Sequence, residues 1–215
     1  MDPNLQSLLK WSVENTPTTT TTNPSADSST PSSRPINPDA LNALFGGPSD
    51  AELMNLSMSA ILSTDPQITL EDKLTAFDNF EQLIENLDNA NNLEPLSLWT
   101  PLLSCLTSPE PEIRKMAAWC VGTAVQNNLK SQEKLVAAGE AGIPELVKVA
   151  RREGEEEGVR RKACYALSSA CRNFQPAMDL LTGSMGKEKV DAGDMDEVDV
   201  LIGGLRDGVK ATVTA

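Results

Sequence analysis

The sequence predicts an all-α fold in which paired helices stack into a solenoid. The first observation is an internal repeat: residues 113–127 (IRKMAAWCVGTAVQN) align without a gap with residues 159–173 (VRRKACYALSSACRN), 46 positions further on. Both copies carry apolar residues at helical spacing, with small residues where a neighbouring helix would approach. The second observation is the low aromatic content of 4 %. Since such units bury their apolar faces only by stacking, we expect a right-handed, armadillo-like solenoid of about three repeats behind a disordered N-terminal extension.

The composition narrows the function classes. The 215 residues include 18 basic and 31 acidic ones, a net charge of −13, which repels phosphate backbones and anionic membrane surfaces. We therefore expect no nucleic-acid partner and no membrane partner. The chain has no run of about 18 apolar residues, and its start lacks the features of a secretory signal. A cytoplasmic, monomeric protein is the expectation.

The absence of histidine limits the chemistry. No His occurs in the chain, so the usual zinc sites and Ser-His or Cys-His nucleophile pairs are excluded. Cys105, Cys120, Cys164 and Cys171 lie in apolar helical patterns without a C-x-x-C motif, which predicts buried, reduced thiols. We expect no catalytic residue, no metal and no cofactor.

The N-terminal third divides into three segments. Residues 1–15 form an amphipathic segment, either a docked terminal helix or a peptide-like element for a partner's apolar groove. Residues 16–36 are a Thr/Ser/Pro tether that is expected to be disordered. Residues 37–63 are predicted to form capping helices, the second of which starts at a capping box made by Ser49 and Glu52 and runs to about Leu62. The apolar residues of the first two helical stretches are Leu5, Leu8, Leu9, Trp11, Leu41, Leu44 and Phe45.

Residues 64–183 are assigned to the repeats. Thr69 as N-cap, with Asp72, opens a helical stretch over residues 70–93. A shift of 42 positions aligns it with the second repeat and places Phe77 on Trp119 and Leu87 on Leu129. Residues 141–150 begin AGIP, where Gly is expected to end one helix in a left-handed conformation and Pro to start the next. Each unit is thus predicted to be a shorter helix followed by a longer one.

Two acidic segments flank the last repeat. The loop 151–158 (RREGEEEG) is predicted to be a solvated turn. Residues 184–215 are assigned to a loop, a capping helix that starts near Asp194 and Glu197, and a tail.

Several blocks resemble a known family. The sequences LLKWSVENT, ALNALFGG, AFDNFEQLIENLDNANNL, GTAVQNNLKSQ and YALSSACRN closely resemble the fungal cytosolic nucleotide-exchange factors of the Fes type. These armadillo-repeat proteins are related to the animal factors that bind the 70-kDa heat shock chaperone. The resemblance covers nearly all of residues 1–174 and weakens after about residue 175, where other members continue through further repeat helices.

The resemblance implies a non-enzymatic co-chaperone. Its curved body would embrace one lobe of the chaperone's nucleotide-binding domain, speed ADP release and promote client release. The mobile N-terminal segments, residues 5–13 and 41–45, would occupy the chaperone's peptide site.

The resemblance also implies a partner-binding surface, because the long second helix of an armadillo unit lines its concave side. The polar segment 88–91 is expected at the same rim, with Ala90 at a position that must stay small. Each of Phe77, Trp119 and Tyr165 taken alone fits a core position at least as well as a surface one. As an aligned trio they are expected to form one surface stripe. The candidate partner-binding residues are Phe77, Glu81, Glu85, Asp88, Asn89, Ala90, Asn91, Trp119, Thr123, Gln126, Asn127, Tyr165, Ser169, Arg172 and Asn173.

The sequence supports two other functions less well. An armadillo adaptor for extended basic peptides, of the nuclear-import type, would place an Asn four residues after each concave aromatic residue, where this chain has Glu81, Thr123 and Ser169. An enzyme would need paired carboxylates in an apolar pocket, and the acidic runs at residues 155–157 and 194–197 fall in loops or caps.

Overall fold

The computed structural model describes residues 46–207, and its helices belong to the unit that begins at Ser49. Regular structure within this range is entirely helical, which confirms the predicted fold class. The segments 1–15 and 16–36, the first capping helix with Leu41, Leu44 and Phe45, and the tail after residue 207 lie outside the described residues. The α-helices are α1 Asp50–Leu62, α2 Leu70–Ile84, α3 Leu87–Asn92, α4 Trp99–Ser104, α5 Pro111–Val125, α6 Leu129–Ala137, α7 Ile143–Arg151, α8 Glu157–Cys171, α9 Gln175–Met185 and α10 Met195–Asp207.

The long helices form one row of the stack. Helix α2 packs against α5, α5 packs most extensively against α8, and α10 contacts α8 at the end of the row. The shorter helix α4, with the 3-10 turn Cys105–Thr107, precedes α5, and α7 precedes α8, so the predicted order of short and long helix is confirmed. A further short helix follows each long one: α3, α6 and α9 begin after the N-cap residues Asn86, Asn128 and Phe174. One continuous apolar core runs from α1 to α10.

Side-chain caps set the first two helix starts as predicted. The Ser49 hydroxyl accepts the Glu52 N–H at 3.3 Å, and the Glu52 carboxylate accepts the Ser49 N–H at 2.8 Å. Thr69 and Asp72 form the same reciprocal pair at the start of α2. The predicted helical stretch 70–93 is wrong in its extent, because the Asn86 side chain accepts the Asp88 N–H at 2.9 Å and starts α3 separately. An Asn side chain that satisfies backbone N–H groups favours a new N-cap over a continued helix.

The alignment of the first repeat is also off by one residue. Helices α2 and α5 are both 15 residues long, and their first and last residues are 41 positions apart, from Leu70 to Pro111 and from Ile84 to Val125. The short helices α3 and α6 start 42 positions apart, as predicted for Leu87 and Leu129. The difference is Asn127, an extra residue with a φ of 52° between α5 and the N-cap of α6.

The AGIP segment forms the predicted boundary between two helices, but it requires glycine for a different reason than predicted. Pro144 lies in the first turn of α7, as expected. Gly142 is not left-handed, since its φ is −91°. A Cβ at this position would lie 2.3 Å from the Leu135 carbonyl oxygen, so the close approach of α6 is what requires glycine. The left-handed residue is Gly139, three positions earlier, with a φ of 59°.

The prediction that the glutamate loop, residues 151–158, is a solvated turn is wrong at Glu155. The Glu155 side chain is only 1 % exposed and pairs with Arg114 at two points, Nη2–Oε1 at 2.6 Å and Nε–Oε2 at 2.8 Å. Arg114 Nη1 also donates to the carbonyl oxygens of Ser108 and Pro109. Burial alone would raise the pKa of the Glu155 carboxyl, but hydrogen bonds from Arg114 and the Glu156 N–H, with the nearby charges of Arg114 and Arg152, lower it overall. This ion pair fixes the loop before α8 to the start of α5.

The thiols are buried and free, as predicted. Burial raises the pKa of Cys105 and Cys164 to about 11 and that of Cys171 to about 12. Burial also holds the pKa of Cys120 well above its ordinary value. These groups are therefore thiols rather than thiolates near neutral pH.

Candidate functional site

Ten of the predicted partner-binding residues come together along α2, α5 and α8. One cleft is lined by Glu81, Glu85, Trp119, Thr123, Gln126, Asn127 and Tyr165. A second cleft shares Gln126, Asn127 and Tyr165 with it and adds Ser169, Arg172 and Asn173. We call these ten residues the wall. Its continuity follows from the 46-residue repeat, which gives Trp119 and Thr123 of α5 the same helical positions as Tyr165 and Ser169 of α8. The repeat likewise makes Gln126 and Arg172 the C-cap residues of these two helices.

Hydrogen bonds between neighbouring helices hold the wall together. Thr123 Oγ1 donates to Glu81 Oε1 at 2.7 Å, which joins α5 to α2. The Tyr165 hydroxyl donates to Gln126 Oε1 at 3.0 Å, which joins α8 to the end of α5. Glu81 is nearly buried, with 5 % of its surface exposed, so this carboxylate serves the helix seam as well as the cleft. The wall is thus held in place by hydrogen bonds within the chain itself.

A lysine that the sequence analysis missed covers the central aromatic residue. The Lys162 ammonium lies 3.5 Å from the centre of the Trp119 ring and 5.8 Å from that of Tyr165. Burial lowers the pKa of Lys162, and the charge of Glu81 opposes that shift. The sequence does not indicate this contact, because the cation–π interaction joins side chains from two different repeats.

The expected aromatic stripe is wrong at Phe77. This side chain is fully buried beside Phe80 and Ile84 in the core. The physical reason is the one-residue shift in register, since one residue rotates a helix position by about 100°. With the 41-position alignment, Asp78 rather than Phe77 corresponds to Trp119, and Gln82 corresponds to Thr123. The surface aromatic pair is therefore Trp119 and Tyr165, both half-buried.

The polar segment 88–91 does not line the two clefts. It forms part of α3, where Asn89 is buried and donates to Asp50 Oδ2 at 2.8 Å and to the Leu83 carbonyl at 3.0 Å. Ala90 is 3 % exposed and belongs to the core. Asp88 is exposed, and Asn91 is half-buried with no hydrogen-bond partner for its Oδ1 among the described residues. A large side chain at position 90 would disturb packing of the stack rather than block a surface.

Asn127 and Asn173 have a backbone role beside their place in the wall. Their φ angles are 52° and 56°, the left-handed region, immediately after the C-caps of α5 and α8. Apart from glycine, which has no side chain, Asn is among the residues that adopt this conformation most readily. The repeated Asn therefore marks the same helix ending twice.

The described part of the chain presents two neighbouring clefts along its long helices. Among residues 46–207 there is no group of three or more His, Cys, Asp or Glu side chains placed to hold a metal ion. No helix in this range is both long and apolar enough to cross a membrane. What the wall presents is two half-buried aromatic rings surrounded by amide, hydroxyl and charged groups, the composition of a protein–protein contact.

Fold and wall together define a helical-repeat protein with clefts along its stacked long helices. Residues 98–127, which span α4 and α5, match the HEAT repeat. Residues 5–93 match the family described as nucleotide exchange factor Fes1. The chain belongs to the Fes1 nucleotide exchange factor family, as the sequence blocks predicted.

Relatives match along the whole chain. A protein of Gibberella zeae is 55 % identical over 214 residues, covering 97 % of this chain and 98 % of the relative. A protein of Neurospora crassa is 49 % identical over an alignment of 247 residues, covering 98 % of this chain and all of the relative. Both are named Hsp70 nucleotide exchange factor. A longer relative of that name from Yarrowia lipolytica is 51 % identical over 156 residues, which are 73 % of this chain and 54 % of the relative.

Proposed function

We propose that this protein is a nucleotide-exchange factor for a cytosolic 70-kDa heat shock chaperone, Hsp70, and that it promotes ADP release, client release and protein folding. The observation that carries the proposal is the match, over nearly the full length of the chain, to relatives named Hsp70 nucleotide exchange factor. The protein would act in the cytoplasm as a monomer, by binding alone.

The mechanism requires a difference in affinity. A ligand shifts an equilibrium only as far as it binds one state better than the other. The protein must therefore bind the open form of the chaperone's ATPase domain more tightly than the ADP-bound, closed form. A wall tied across three helices by the Thr123–Glu81 and Tyr165–Gln126 hydrogen bonds resists adapting to the closed form, which supports this role.

We assign the contact with the ATPase domain to the wall. Trp119 and Tyr165 are its central anchors, because half-buried aromatic rings supply large contact area at low entropic cost. Glu85, Gln126 and Asn127 are exposed around them and provide polar contacts. The adaptor alternative loses support, since the residues four positions after Asp78, Trp119 and Tyr165 are Gln82, Thr123 and Ser169, without the Asn ladder.

The N-terminal segments are assigned to client release. Their apolar residues would compete with the client for the chaperone's peptide site. These residues are Leu5, Leu8, Leu9, Trp11, Leu41, Leu44 and Phe45. Deletion of residues 1–35 should leave ADP release largely intact and slow the release of a labelled client peptide. Equal loss of both activities would contradict separate roles for the two parts.

Reciprocity supplies the direct test of the proposed mechanism. If the protein weakens ADP binding by some factor, ADP must weaken binding of the protein by the same factor. We expect a higher affinity for the nucleotide-free ATPase domain than for the ADP-loaded domain in titration calorimetry. Equal affinities for the two forms would overturn the function proposed here.

A further inference from the structure

Three arginines line one cleft between α8 and α10. On α8, Arg161, Tyr165 and Ser168 follow each other at spacings of four and three residues, which places them on one helix face, and the C-cap Arg172 follows four residues later. On α10, Asp199, Ile202 and Arg206 do the same at spacings of three and four residues. The two faces, with Cys164 and Gly203, enclose a cleft of about 510 Å³. We call it the arginine cleft.

The arginine cleft carries excess positive charge in a chain whose net charge is −13. Among the described residues that line the cleft, Asp199 is the only acidic one, and it already pairs with Arg172, whose Nε also donates to Ser168 Oγ at 2.9 Å. Among residues 46–207, the one carboxylate within ion-pair distance of Arg206 is that of its sequence neighbour Asp207, at 3.4 Å. For Arg161, no carboxylate of residues 46–207 lies within ion-pair distance. Two guanidinium groups of the lining thus have spare hydrogen-bonding capacity.

The arginine cleft continues the wall. Tyr165 and Arg172 line both the arginine cleft and the neighbouring wall cleft. The opposite end of the wall, on α2, is acidic, with Glu81 and Glu85. The combined surface therefore changes from negative to positive between α2 and α10, and it can orient a partner that carries the complementary pattern.

We propose that the arginine cleft binds surface carboxylates of the same ATPase domain that the wall contacts, and so fixes the direction in which that domain docks. The proposal rests on the proposed function. Guanidinium groups match carboxylates through paired hydrogen bonds, and the Arg172–Asp199 pair shows a carboxylate already held in this cleft. A protein partner supplies such groups as Asp and Glu side chains.

Two neighbouring glycines give a matched test. Gly203 lines the cleft and Gly204 does not, while a Cβ at either position would meet nothing within 4 Å. Gly203→Glu and Gly204→Glu change the net charge equally, and both replace a helical glycine with a better helix former, so neither should unfold α10. Only Gly203→Glu places a carboxylate among the arginines.

The readout is binding of the full chain to the Hsp70 ATPase domain by surface plasmon resonance, at low and high salt. We expect Gly203→Glu to weaken binding at least about tenfold at low salt and less at about 0.5 M salt, where charges are screened. Gly204→Glu should stay within about twofold of the parent. In an Arg161→Ala/Arg206→Ala background, Gly203→Glu should lose most of its effect, since coupled residues are not additive.

The outcomes separate the two proposals. If the parent binds and both glutamate variants bind equally well, the arginine cleft has no part in docking and the inference fails while the function stands. If inorganic phosphate raises the melting temperature of the parent but not of Gly203→Glu, and chaperone binding is equal in both, the cleft holds a small anion instead. If the parent neither binds the ATPase domain nor speeds ADP release, the proposed function itself fails.

Discussion

The Lys162 ammonium lies 3.5 Å from the centre of the Trp119 ring, so a cation of α8 covers an aromatic face of α5. A cation over a Trp face is worth about 0.5–2 kcal/mol. Burial lowers the pKa of Lys162, which shows that desolvation offsets part of this gain. We predict that Lys162→Met lowers the free energy of unfolding by no more than about 1 kcal/mol, because the methionine stem still covers the ring. Urea denaturation checks this. A loss above about 2 kcal/mol would show that the charge matters more than the packing.

Arg114 and Glu155 should contribute far more to stability. Removing one partner of a buried ion pair leaves an uncompensated charge and costs about 3–5 kcal/mol, whereas an exposed pair contributes about 0–1 kcal/mol. We predict a loss of that larger size for Arg114→Ala in urea denaturation. Lys134→Ala, which removes the half-exposed pair with Glu94, is the matched control. Equal effects of the two variants would contradict the buried pairing.

The Glu155 pair also predicts a pH dependence. The folded pKa of Glu155 lies below its ordinary value of 4.5, so the carboxylate contributes stability above about pH 4.5. That contribution declines as the pH falls through the folded pKa, because the carboxyl then takes up a proton in both states. The stability difference between the parent and Glu155→Gln should therefore be constant from pH 7 to about pH 5 and shrink below that. A difference that grows on acidification would reverse the sign and refute the assignment.

Gly122 lies where α8 packs closely against α5. A Cβ there would lie 2.5 Å from the Tyr165 ring and 3.1 Å from the Ala166 Cα. We predict that Gly122→Ala destabilises the protein by about 1–3 kcal/mol through overpacking, despite the better helix propensity of alanine. It should also displace Tyr165 from Gln126 and weaken chaperone binding. Gly204→Ala, in open space, should be neutral or stabilising, and thermal melting compares the two.

The left-handed Asn127 gives a conformational prediction. Asn127→Ala should lower stability by about 1 kcal/mol, because an ordinary side chain is strained at a φ of 52°. Asn127→Gly should be close to neutral. If glycine also impairs chaperone binding while leaving stability unchanged, the amide of Asn127 contacts the partner as well.

The sequence predicts the repeat well because local signals and periodicity agree. The capping pairs at Ser49 and Thr69 set helix starts, and the gapless 46-residue repeat places Trp119 and Tyr165 on one face. The alignment of the first repeat is wrong by one residue for the long helices, because the short helices α3 and α6 lie 42 positions apart and the long helices α2 and α5 lie 41 apart. One residue was enough to move Phe77 from the expected surface into the core.

The remaining features depend on contacts between units, which periodicity does not encode. In the sequence, Glu155 is one of three loop glutamates, and nothing indicates that Arg114, 41 residues earlier, pairs with it. The sequence pattern is consistent with a solvated Lys162, and only the fold places Trp119 of the preceding unit beneath it. The arginine cleft likewise forms only when α10 packs against α8.

The most direct test of the account is the rate at which a fluorescent ADP analogue leaves Hsp70 when the full-length protein is added. We predict faster release that saturates with protein concentration, a clear loss of acceleration for Glu85→Lys in the wall, and full acceleration for Glu153→Lys, an exposed control that lines neither wall cleft. Both changes shift the charge equally, and a lysine at the C-cap Glu85 of α2 suits the helix dipole. An unchanged ADP release rate with the parent protein, or equal rates with the two variants, would contradict the claim that this wall opens the chaperone.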